Sequence, residues 1–288
     1  MANTIEKAFV EQFKANVVHL AQQRGSRLRS TVRSETVTGK KHNYERIGTM
    51  AAVAKTTRHT NTPVLDVPHS RRVVEMTDYH WADLIDQEDK IRMLISPQSE
   101  YTKTGAWAMG RQWDSLIIEN ATGNSKDGDG NNIALPAGQK VVHGSAGLTV
   151  AKILDAREIL LANDIDEENE QLTFVVSAAE LTTLLNTTEV KSSDYNTVKA
   201  LAKGELSDFA GFKFVRSQQL GLVTSGTPDY RQCLAYATSG IGLAIGAEVT
   251  TRIEDRSDKS YATQVYLAFT GGAIRIEEEK VVEVQVTY

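Results

Sequence analysis

Residues that do chemistry are thinly placed in this chain. Asp127, Asp129 and Asn131, in the run DGDGNN, stand at the first three alternate ligand positions of a calcium loop. Such a loop needs glycine at its sixth position for the sharp turn and glutamate at its twelfth to hold the ion with both oxygens. Asn132 and Gly138 occupy those places, so the run reads as a plain turn. Carboxylates cluster at 164–170 (DIDEENE) and 277–279. Acid–base catalysis needs two carboxyl groups facing one pocket with separated pKa values. These runs fall between a helix and a strand, and on a strand's polar face, so they read as solvated charge. His19, His42, His59, His69, His80 and His143 never stand four apart on a helix, and read as surface or satisfied histidines. The single cysteine, Cys233, excludes an internal disulfide and a cysteine-rich metal site; it reads as a small buried apolar residue. The phosphate loop G-x-x-x-x-G-K-[ST], the dinucleotide G-x-G-x-x-G after a strand, the G-x-S-x-G elbow and H-E-x-x-H are all absent. The expectation is a protein that is not an enzyme, with no catalytic, metal or cofactor-binding residues and no cofactor.

Positive charge is the more telling pattern. Residues 1–72 hold 13 Lys/Arg against 5 Asp/Glu, and residues 73–288 hold 19 against 32, so a net +8 precedes a net −13. Such asymmetry points to nucleic acid or to pairing between the basic part of one chain and the acidic part of another. Arg24, Arg27, Arg29 and Arg33 lack the interleaved aromatics of a single-strand binder, which favours pairing with acidic neighbours. Lys40, Lys41, Arg46, Arg71 and Arg72 lie in a segment too polar to bury itself, and are the candidate inter-subunit contacts.

The elements that must position these residues follow from periodicity. At 288 residues and 41% hydrophobic content a sizeable core is expected. No apolar run approaches the ~20 residues of a membrane span, and the N-terminus lacks the plan of a secretory signal. Residues 4–23 read as an amphipathic helix capped by Thr4, with Ile5, Phe9, Phe13, Val17 and Leu20 on one face. Residues 24–75 are basic and Ser/Thr-rich, and suggest a long two-stranded excursion ordered by other molecules. Residues 97–122 form the clearest helix, with Ser96 as cap, Pro97 at the first position and Gly123 at the end. Its core side reads as Ala106, Met109, Trp113, Leu116, Ile117 and Asn120, and Arg111, Asp114, Ser115 and Glu119 as the opposite side. A second helix starts at Thr149, QLTFVVS reads as a buried strand, and Ser177 with Glu180 forms a capping box for a third helix. DFAGFKFVRSQQL gives a turn at Gly211 and a strand. From Cys233 onward the chain reads as β. In the closing run, Ile274, Ile276, Val282, Val284 and Val286 share one parity, while Arg275, Glu283 and Gln285 share the other. Glu278 and Lys280 interrupt it as a kink or bulge.

In this order the parts resemble the major capsid proteins of tailed bacteriophages, which share the Hong Kong 97-type fold. The likeness rests on four stretches: YHWADLIDQEDKIRMLISPQSEYTKTGAWAMGRQWDSLIIENATG, LTVAKILDAREILLANDIDEENEQLTFVVSAAELTTLL, ALAKGELSDFAGFKFVRSQQL and GGAIRIEEEKVVEVQ. The resemblance implies an α+β chain: N-terminal arm at 1–35, extended β loop at 36–75, peripheral domain with a long spine helix at 76–146 and 251–288, and axial α/β domain at 147–250. The final strand is then expected to complete the peripheral sheet. The implied function is a structural subunit of an icosahedral head, assembled in the host cytoplasm and enclosing double-stranded DNA. The implied partners are copies of itself in hexamers and pentamers, a portal protein and packaged DNA held by non-specific contact, with no membrane. No N-terminal scaffolding segment is visible, so a separate scaffolding protein is expected. Some members join a loop lysine to a neighbour's asparagine; Lys40 and Lys41 are the candidates here. A cellular nanocompartment shell of the same fold is the alternative, and an α/β hydrolase a more distant one that lacks its nucleophile elbow.

Overall fold

Residues 22–32 run along the long helix before the first strand begins, in a computed structural model that describes residues 22–59, 61–62, 64–86, 97–186, 208–224 and 228–287. The amphipathic helix expected at 4–23 and the Ser96 cap lie outside these residues. The strands in chain order are β1 (Arg33–Thr36), β2 (Lys41–Ile47), β3 (His69–Glu75) and β4 (Thr77–Ile85). The long helix α1 (Pro97–Thr122) follows, then β5 (Ser125–Lys126), β6 (Asn132–Ile133), β7 (Lys140–Val141) and α2 (Val150–Ala162). The remainder is β8 (Leu172–Val176), α3 (Ala178–Leu185), β9 (Asp208–Phe209), β10 (Phe212–Arg216), β11 (Leu222–Val223), β12 (Tyr230–Ala237), β13 (Ile241–Arg256), β14 (Ala262–Arg275) and β15 (Val281–Thr287).

Local chemistry explains most boundaries. At about 1.5 Å per residue α1 is ~39 Å long. It stops where the Gly123 amide returns to the Glu119 carbonyl at 2.9 Å. Thr149 caps α2, its side chain accepting from the Lys152 amide. Ser177 and Glu180 make the expected capping box on α3. Ala210 and Gly211 both take positive φ in the turn between β9 and β10.

Two sheets carry the architecture. The four-stranded sheet has the order β1-β13-β14-β4, and the seven-stranded sheet the order β7-β15-β12-β8-β10-β9, with β11 on β12. β2 and β3 pair with each other, from Lys41↔Glu75 to Ile47↔His69, as a separate two-stranded sheet, with an isolated bridge from Arg72 to Asp127: the expected two-stranded excursion. The helix α1 lies on the four-stranded sheet. Trp113 packs on Phe269 with ring centroids 4.2 Å apart, and fits because Gly271 presents no side chain; a Cβ there would run into the indole. One apolar core runs from Met109, Trp113 and Ile117 through Leu267 and Phe269 to Phe174, Leu234 and Val284 of the other sheet.

Several expectations are corrected. The last strand does not join the sheet of the long helix. β15 pairs antiparallel with β12 along its whole length and parallel with β7, inside the seven-stranded sheet. The expected parting at 250/251 falls within the continuous β13, which pairs with β14 from Ile241↔Arg275 to Arg256↔Ala262. The chain passes from β4 to the other sheet by way of α1, and directly from strand to strand at the 3-10 turns Thr238–Gly240 and Glu278–Lys280; the latter is the kink read from the broken parity. Arg275 and Glu283, expected in water, are buried, as is Asp114, whereas Ala106 is exposed. Each of the three buried groups meets polar partners far away in sequence, which a one-face pattern does not register.

Candidate subunit-contact surface: the hairpin and its root

The β2–β3 hairpin divides into a packed root and a bare distal part. At the root, Tyr44 and Val74 join Val37, Ala244, Ile274 and Ile276 in a small second core. Burial pushes the Tyr44 hydroxyl far above its ordinary pKa, with the Glu35 charge adding to the rise. Beyond the root every described residue of 47–71 is exposed. Among them are Ile47 at 71%, Val53 at 60% and Val64 at 94%.

The five expected contact residues separate accordingly. Lys40 is exposed. Lys41 pairs with Glu75 across the hairpin at 2.8 Å, and Arg71 with Glu45 at 3.1 Å, all four partly in water. Hydrogen bonds from Lys41 and Lys126 hold the Glu75 carboxyl below its ordinary range. Arg46 and Arg72, in contrast, turn into their own chain. Arg72 Nη2 donates to both oxygens of Glu278, at 3.0 and 2.9 Å, and is itself buried. Arg46 Nη1 reaches the same carboxylate at 3.1 Å and the Ile276 carbonyl at 3.0 Å. The reading that this segment cannot bury itself therefore fails at Arg46 and Arg72.

Glu278 gathers a third arginine. Arg275 is fully buried with its Nε 3.8 Å from Glu278 Oε1. Its Nη1 donates to the Ala121 and Gly123 carbonyls at the end of α1 (2.9 and 2.7 Å), and its Nη2 to the Ile133 carbonyl at 2.9 Å. A cation at this end of a helix is favoured by the exposed carbonyls and the dipole. Burial alone would raise the Glu278 carboxyl; the hydrogen bonds and charge of Arg72, with Arg46, outweigh it and hold the group below the usual carboxylate range.

The arm has its own anchor. Asp114 of α1 accepts from Gln23 Nε2 and Ser26 Oγ, both at 2.5 Å, and from the amides of Arg27 and Leu28 at 3.0–3.1 Å. Gly110 lets the chain lie that close: a Cβ there would stand 2.5 Å from the Gly25 backbone. Arg29 pairs with Glu248, Arg33 with Glu35, and Arg27 donates to the Arg216 carbonyl at 2.8 Å, so these three of the four arm arginines find acceptors within the chain. Arg24 lies over Trp107. Sequence reasoning missed Asp114 and Glu278 as organising groups; for Glu278 a signal existed, its break of the apolar parity.

The remaining candidates are plain. Asp127 caps its own turn, accepting from the Asp129 and Asn131 amides at 2.9 and 2.8 Å. Cys233 is buried, which pushes its thiol well above its ordinary pKa. Among the described residues no group of three or more His, Cys, Asp or Glu is placed to hold a metal ion, and no helix is long and apolar enough to cross a membrane.

A two-stranded hairpin standing off a body of two sheets and one long helix has clear parallels. A family model described as phage capsid protein matches residues 5–287. This chain belongs to the phage capsid protein family. Solved structures agree in fold. The capsid of cyanophage P-SCSP1u superposes with a TM-score of 0.73 at 16% identity, covering 99% of this chain and 94% of that one. Mycobacterium phage Che8 gives 0.70 at 17%, over 96% and 97%. The capsid of Ralstonia phage GP4 gives 0.77 at 10%, over 97% and 95%. No curated protein matches the chain. As a phage capsid protein the chain is a subunit of the head shell; it associates with copies of itself and resides in the virion capsid. The α+β fold expected from the sequence is that of phage capsid structures.

Proposed function

We propose that this capsid protein builds an icosahedral head from hexamers and pentamers around double-stranded DNA, and that the distal hairpin lies on a neighbouring copy. The single observation that supports the contact is the exposed stretch 47–71, with Ile47, Val53 and Val64 held out in water. Exposed apolar residues gathered on one projecting element mark an interaction site. The charge division favours the same reading: the hairpin belongs to the +8 segment and every neighbour offers a −13 remainder. Of the five candidates, Lys40, Lys41 and Arg71 remain exposed enough to take part, Lys41 and Arg71 by exchanging their partners Glu75 and Glu45. In this reading the hairpin reaches outward, the four-stranded sheet with α1 forms the peripheral body, and the seven-stranded sheet, β15 included, forms the axial body. A separate scaffolding protein guides assembly, a portal protein occupies one vertex, DNA is held without sequence-specific contact, and the subunit's role is structural rather than enzymatic.

The test replaces residues 48–68 with Asn-Gly, a pair suited to a two-residue hairpin turn, in cells producing the other head proteins. The shortened subunit is expected to stay soluble and folded while electron microscopy shows loss of closed shells. Shells of normal yield and size would overturn the hairpin contact. Nuclease-protected DNA in shells of the unaltered chain is the expected content; protein cargo in its place would overturn the head assignment.

A further inference from the structure

We infer that Glu278 is a positioning residue for assembly: it clasps both strands of the hairpin and so sets the direction in which the distal part leaves the body. Two arginines from two different strands converge on this one carboxylate, Arg46 from β2 and Arg72 from β3. Glu278 lies in the turn where the chain passes from β14 of one sheet to β15 of the other. The third arginine, Arg275, ties the same spot to the end of α1. The hairpin joins neither large sheet; an isolated bridge from Arg72 to Asp127, the exposed Lys126–Glu75 pair and the small apolar root hold it to the body, and the clasp adds a buried, directional anchor to these. Apolar packing is non-directional. A carboxylate held through both oxygens by a guanidinium is directional, and two of the three guanidiniums around it, those of Arg72 and Arg275, are buried.

Lys280, two residues on, serves a different pair of elements. Its Nζ donates to Glu170 Oε1 at 3.0 Å and Ser239 Oγ at 2.7 Å, beside the other direct passage between the sheets. The Ile276 amide donates to the Gly240 carbonyl at 2.8 Å and closes the two passages on each other. One short turn therefore holds the hairpin with Glu278 and the junction of the sheets with Lys280, and the two roles separate by mutation.

The experiment is hydrogen exchange on the full-length subunit, with shell yield measured in parallel. E278Q keeps the size and removes the charge. It is expected to speed amide exchange at 41–47 and 69–75 by at least about tenfold, since it strips the cluster of the carboxylate that pairs with Arg72 and Arg46. Exchange at 172–176 and 281–287 should stay unchanged. E278D, which keeps the charge, should fall closer to the unaltered protein. K280M should speed exchange at 238–240 and leave the hairpin alone. If E278Q is insoluble, R46Q gives the reading, with an expected rise of about threefold in the hairpin. Unchanged hairpin exchange in the variant that is read, or identical behaviour of E278Q and E278D, would overturn the clasp. The assembly part rests on the proposed hairpin contact. A loosened hairpin with normal shells would refute that contact while leaving the clasp standing.

Discussion

Asp114 receives four donors from the segment 23–28, and all of them lie 86 to 91 residues away in sequence. Helical periodicity places it on the outer side of α1, because the pattern registers only apolar neighbours and scores any carboxylate as solvated. The arm overturns that by covering the helix with its own amides. Arg275 and Glu283 follow the same logic. Arg275 is sunk among carbonyls from 121, 123 and 133, and Glu283 among Lys140 and Gln232. Charge burial of this kind is illegible locally, since nothing near the residue names its partner. The energetic consequence is testable. Asp114→Ala strands two buried or half-buried amides and two side chains, and should cost about 3 kcal/mol. Glu119→Ala, exposed on the same helix, should cost less than about 0.5 kcal/mol. Urea midpoints of the two variants make the comparison.

At the level of elements, alternation gave the final strand its parity but not its address. Val282, Val284 and Val286 are buried as the pattern requires, yet β15 inserts between β12 and β7, a pairing that no local period encodes. Burying each valine stabilises by about 1.5–3 kcal/mol, against ~5–15 kcal/mol for a whole domain. Deleting 281–288 should therefore leave insoluble protein. Val284→Asp should be severe and Gln285→Asp mild, with soluble yield as the measure; equal tolerance would contradict the packing. The hairpin gives a second contrast. Arg71 and Arg72 are adjacent and chemically identical, but one stands in water and the other is buried on Glu278. Arg71→Glu should change the subunit's stability by less than about 1 kcal/mol. Arg72→Glu places a carboxylate against a carboxylate and should loosen the root by several kcal/mol, about 3–5 for breaking such a pair. Protease cleavage within 48–68 in the two variants, side by side, reads the difference.

For the molecule as a whole, the order of parts was legible and their mutual placement was not. The long helix, the capped helices at 150 and 178, the strand at 172 and the basic excursion all rest on local signals: Pro97, Thr149, Ser177 with Glu180, and the run LTFVV. Which sheet takes which strand depends on contacts across most of the chain, as in β1 pairing with β13 from Arg33↔Gly242 to Thr36↔Ile245. The uninterrupted core that joins α1 to both sheets has a mechanical meaning. Close-packed interiors have low compressibility and transmit strain, so each body acts as a stiff tile. A closed wall of such tiles must take up curvature and internal load at its joints. If the hairpins span those joints as proposed, compliance is concentrated in their distal halves, which carry no core of their own, and the elasticity of the shell becomes a property of its seams.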